Sequence, residues 1–118
     1  MDTTLLQNKI ETLQSTADRL FHMVTSSGCL YTDDLALLNR EIHDKINELY
    51  PIHGRTVEQE AAICLAILTG YSVSMYANSE DEKRKLLVLE RSHKIANELS
   101  PVPLKYQLLT VCEKMCCL

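Results

Sequence analysis

Cys112, Cys116 and Cys117 are the residues whose type and spacing come nearest to a chemical site, since Cys112 and Cys116 share one face of a helix and thiolates hold soft metals. A closed zinc site takes four ligands, mostly in short paired spacings. Here the fourth would have to come from afar, from Cys64 or a histidine. The five Cys form an odd set without a CxxC pair, which reads as free thiols in a reducing, cytosolic compartment. The four histidines are scattered. His93 falls on an apolar helix face and reads as a core histidine, and His43 reads as a surface residue beside an apolar stripe. His53, in a turn next to Gly54, is the best placed to act. No GxGxxG, Walker loop, GxSxG elbow or HExxH occurs. The expectation is a protein with no catalytic set, no metal and no cofactor.

Bulk composition narrows the class further. A chain of 118 residues reads as a single domain, 1–118, large enough to bury a core without disulfides or metal. The net charge of −4 lacks the basic excess of a nucleic-acid or polybasic membrane binder, and suits a basic protein partner instead. One Phe and no Trp leave little for stacking bases. The opening MDTTLLQNKIETLQ has neither a basic n-region nor an apolar h-region. The longest apolar run, Ala61 to Leu68, falls far short of the ~18 residues a membrane span needs.

These residues must be positioned by helices, because no stretch sustains strand alternation. The reading is an all-α, single compact bundle of about five helices. The first spans Thr4 to Ser26, with the stripe Leu6, Ile10, Leu13, Ala17, Leu20, Phe21 and Val24, and stops at Gly28. The second is capped by Thr32 or Asp33, carries Leu35, Leu38, Ile42, Ile46 and Leu49 inward, and ends at Pro51. The third, about residues 57–77, opens with the Thr56–Gln59 capping box and is closed by Asn78. It is apolar nearly all round, so it belongs at the buried centre. Ala62, Ala66, Gly70 and Ser74 recur every four residues along it. This ridge of small side chains would seat another helix of the same chain, or a second copy in a homodimer. The fourth opens at SEDE and turns Leu86, Leu89, His93, Ala96 and Leu99 inward, with Val88 and Ile95 flanking; its acids pair with Arg84 and Lys85 on a solvated face. The fifth starts with Ser100 as cap and Pro101 at its first position. A tetratricopeptide array is rejected, because no 34-residue self-similarity is present.

Tyrosine supplies nearly all the aromatic content, and Tyr31 and Tyr50 lie on connections where exposed rings favour a partner patch. The segments CLYTDDLALLNREI and ELYPIHGRTVEQEAAICLAILTGYSVSMYAN, with LLT late in the chain, resemble the UpxZ family of small bacterial proteins from capsular polysaccharide loci of Bacteroides and relatives. The matching residues include Tyr31, Asp33, Tyr50, His53-Gly54, Thr56, Glu60-Ala61, Gly70-Tyr71 and Tyr76. The resemblance implies a cytoplasmic antagonist of transcription antitermination. It would bind NusG-like antiterminators of other capsule loci by protein–protein contact, without touching nucleic acid or membrane and without enzymatic chemistry. It brings no assigned functional residues. The contact is expected at exposed connections, on Tyr31, Asp33, Asp34, Tyr50, His53 and Arg55. The alternative is a generic helical adaptor or homodimerisation module with no role in transcription.

Overall fold

The second helix packs as its stripe demands: Leu35, Leu38, Ile42, Ile46 and Leu49 are all buried. They belong to a computed structural model that describes residues 3–26, 33–74 and 79–116. Five helices run in the order α1 Thr3–Ser26, α2 Asp33–Leu49, α3 Val57–Val73, α4 Ser79–Ala96 and α5 Pro103–Cys116. No strand occurs among the described residues. Gly28, Tyr31, Thr32, Tyr76 and Asn78 lie outside them.

α3 packs against each of the other four helices. Its residues Ala61, Ile63 to Leu68, Gly70 and Tyr71 are buried, so the run that is apolar on every side has a neighbour on every side. α1 and α2 pair on one flank and α4 and α5 on the other. The small-residue ridge is filled from within the chain: a Cβ placed on Gly70 would lie 2.9 Å from Ile46 Cδ1 and 3.3 Å from Ile42 Cγ2, both on α2. A Lys9–Glu48 ion pair ties the start of α1 to the end of α2.

Several expectations are corrected. Phe21 is 52% exposed and meets His22 edge-on, because its neighbour Leu20, about 100° round the helix, takes the core position. Leu86 is 62% exposed and His93 also faces solvent. α4 instead buries Val88, Leu89, Ser92 and Ala96, with Leu99 just beyond it. The small Ser92 and Ala96 let α4 approach the bundle closely, and Ser92 satisfies its hydroxyl by donating to Val88 O at 2.7 Å. At these two positions packing takes small side chains, while the large Leu89 and Leu99 are buried as expected.

α3 ends at Val73, not near Ala77: Ser74 is its C-cap, in an extended conformation, with its N–H bonded to Gly70 O. Hydroxyls of Thr69, Ser72 and Ser74 donate to backbone carbonyls at the end of α3 and compete with its hydrogen-bond ladder. α5 begins at Pro103, not Pro101. A residue before proline is pushed out of the helical region, so Val102 cannot sit inside a helix that continues into Pro103.

A polar seam bridges α2 and α4. His43 is half-buried rather than on the surface; its Nδ1 lies 3.9 Å from Asp81 Oδ2 and its ring meets Tyr71 edge-on at 6.4 Å. Asp81 was expected opposite Lys85, which pairs with Glu82 at 3.1 Å instead. The Tyr71 hydroxyl is buried without a hydrogen-bond partner in the protein. Burial, with Asp81 adding to it, pushes its pKa up to about 12. Removing a buried, unpaired hydroxyl relieves its desolvation, so Tyr71→Phe is expected to raise stability by about 1 kcal/mol in urea unfolding.

Candidate functional site

The connection from Tyr50 to Thr56 is held by hydrogen bonds at both ends and in its middle. It starts where α2 runs out: Tyr50 N–H still bonds Ile46 O, and Ile52 N–H turns back to Leu49 O. It ends at the N-cap of α3, where Thr56 Oγ1 accepts from Gln59 N–H at 3.1 Å. In the expected capping box the Gln59 side chain would return to Thr56 N–H. It reaches one residue further and accepts from Arg55 N–H at 2.9 Å.

Glu60 and Arg91 hold the middle. Glu60 Oε1 accepts from Gly54 N–H at 3.2 Å, and Oε2 lies 3.2 Å from His53 Nδ1. The Arg91 guanidinium, from α4, donates to Tyr50 O at 3.1 Å, to Ile52 O at 3.1 Å and to Glu60 Oε1 at 2.9 Å. The pair is mostly withdrawn from water, with 18% of the Arg91 side chain exposed and 16% of Glu60. Burial raises the Glu60 pKa, but the Arg91 bond, the Gly54 amide, His53 and the Arg91 charge outweigh it, so the carboxyl sits below its ordinary value. Gly54 permits the approach: a Cβ there would fall 2.3 Å from Glu60 N. Beneath the pair, burial pushes the Cys64 thiol up.

The sequence-derived residues divide between two places. Tyr50, His53 and Arg55 stand together on this connection. His53 is 68% exposed and Arg55 also faces solvent, whereas Tyr50 is half-buried with the Arg84 guanidinium 5.4 Å from its ring centre. Asp33 and Asp34 are exposed at the opposite end of α2, about 24 Å away at the helical rise per residue. Asp34 lines a groove of about 630 Å³ between α1 and α2, with Arg19, His22, Leu37 and Glu41 around it. The five described candidates therefore do not form one continuous patch. Cys64 and Cys112 are buried and unbridged. Among the described residues, no three His, Cys, Asp or Glu side chains gather to hold a metal, and no helix is long and apolar enough to cross a membrane.

Glu60 and Arg91 were missed as site residues. The only signal was a carboxylate directly preceding the longest apolar run.

The model of the UpxZ family of transcription anti-terminator antagonists matches residues 10–114. The chain belongs to the UpxZ family. Among solved structures, the chain is similar to a transcription anti-terminator antagonist UpxZ from Bacteroides uniformis, with 30% identity and a TM-score of 0.79. The match covers 91% of this chain and 66% of that one, so this chain spans just under two thirds of the length of that UpxZ protein. No curated protein matches. UpxZ proteins form a regulatory family of transcription anti-terminator antagonists.

Proposed function

We propose that this protein antagonises NusG-like antiterminators of other capsular polysaccharide loci, by direct contact in the cytoplasm and without chemistry. Membership of a family of transcription anti-terminator antagonists carries the reading. Two properties support it. The net charge of −4 favours encounter with a basic protein and disfavours direct nucleic-acid binding. Both ends of α2 present exposed polar groups that core packing does not require: Asp33 and Asp34 at one end, His53 and Arg55 at the other. At Gly70 the small-residue ridge seats α2 of the same chain, one of its two expected occupants.

The test is a pull-down against a panel of NusG-like antiterminators from capsule loci, with ordinary NusG as control. Selective capture of non-cognate members is the expected result; capture of none by folded protein would overturn the reading. Asp33→Lys with Asp34→Lys then examines the far end of α2. If that end takes part, weaker inhibition with an unchanged melting profile follows. Unchanged inhibition would remove those two residues from the contact.

A further inference from the structure

The loop is held from two helices. Arg91, Glu60 and the Gln59 side chain together fix two carbonyls and two amides between Tyr50 and Arg55. A largely desolvated ion pair is a poor means of stabilising a bundle, since apolar residues of the same size commonly do as well or better. Here the pair is incompletely satisfied as well, because Arg91 Nε is buried without an acceptor in the protein. The arrangement makes sense as a means of fixing shape. It holds a short loop in one conformation, and a contact surface ordered in advance loses less entropy on binding.

What the loop presents is the cation of Arg55. The Arg55 side chain faces solvent, and among the described residues it has no ion-pair partner, although its backbone N–H is tied to Gln59. His53 stands beside it, with one ring nitrogen turned to Glu60 and most of the ring exposed. On a chain of net charge −4, Arg55 places one positive charge on this loop, unpaired among the described residues. The acidic body attracts a basic partner, and that charge selects an acidic spot on it.

We infer that the Tyr50–Thr56 loop engages the antiterminator, that Arg91 is its positioning residue, and that the group received by Arg55 is a carboxylate on the partner. This rests on the proposed antagonism. The guanidinium of Arg55 supplies a planar fork matched to a carboxylate, and Arg91 and Gln59 fix the loop backbone from which that side chain projects.

The experiment uses the full chain and the tightest-binding antiterminator of the panel. Arg55→Glu is expected to weaken Kd at least about tenfold with no change in melting profile, and Arg55→Lys by only about threefold, because the charge remains but the fork does not. Arg91→Lys keeps a cation on α4 but cannot span both carbonyls and Glu60. It is expected to speed amide exchange at Gly54 and Arg55 about tenfold while α3 core amides stay protected, and to weaken binding by a similar factor. Binding by Arg55→Glu within about twofold of wild type would overturn the loop as the contact. Full binding by Arg91→Lys with a fast-exchanging loop would overturn the positioning role. If the wild-type protein captures no antiterminator, the proposed antagonism falls and this inference falls with it. Wild-type capture with unaffected variants brings down this inference alone.

Discussion

Arg91→Ala is expected to cost about 3 kcal/mol at neutral pH, near the lower limit for breaking a buried ion pair because both side chains keep some contact with water. Tyr50 O and Ile52 O lose the Arg91 donor, and Glu60 Oε1 loses one of its two. The Glu60 carboxylate then stays largely covered with only Gly54 N–H and His53 to answer it. The sign of the pH dependence follows from the depressed Glu60 pKa. In the native protein, Glu60 contributes stability that is present above its unfolded value of 4.5 and lost as pH falls through the lower folded value. In Arg91→Ala the main lowering influence is gone, burial dominates, and protonation relieves the covered charge. The two proteins should therefore differ most near pH 7 and converge as the pH drops below about 4.5. Urea unfolding across that range tests this, with Glu60→Gln and the double variant completing a cycle. A gap that stays constant into acid would show that Arg91 acts through its carbonyl bonds and packing alone.

The second large effect belongs to Gly70. Two opposing terms meet in Gly70→Ala. The helix gains about 1 kcal/mol of propensity, and the new methyl meets the flexible end of Ile46 at 2.9 Å. Those roughly cancel, so the alanine variant should lie within about 1 kcal/mol of wild type. Gly70→Val is different in kind. Its second branch cannot turn away, since β-branched side chains in helices are nearly confined to one rotamer, and Ile42 Cγ2 already stands 3.3 Å from the Cβ position. Separation of α2 from α3 should cost about 3 kcal/mol, read as a lower urea midpoint at unchanged slope. A mild valine phenotype would mean that α2 can slide, and the loop attached to its end would be far less fixed than its hydrogen bonds suggest.

What could be read in advance followed from residue size and spacing. α2 shows its inward face because five large aliphatics recur at helical intervals and all five are buried. α3 is legible as a buried helix because an apolar run with no polar side has only one stable place in a small bundle. α4 is legible in part: Leu89, Ala96 and Leu99 are buried as their spacing predicts, but Val88 and Ser92 join them while the larger Leu86 and His93 point outward. Hydrophobicity does not rank Ser92 above Leu86, and the neighbour's shape explains that choice. The helix ends depended on local competition, as between Pro101 and Pro103. In the site, His53 and Arg55 were visible as exposed turn residues. Their restraint was not: Arg91 reaches Tyr50, Ile52 and Glu60 across 41, 39 and 31 positions, and nothing in a linear pattern joins such partners.

That long reach of Arg91 sets the size of the piece that can be exchanged between relatives. A graft of residues 50–56 alone would carry the loop's chemistry but leave behind what shapes it. The transferable unit is discontinuous, with Gln59 and Glu60 on one helix and Arg91 on another moving together with the loop. Variation in partner choice among such proteins would then fall on the exposed position 55, with the holding positions left in place beneath it.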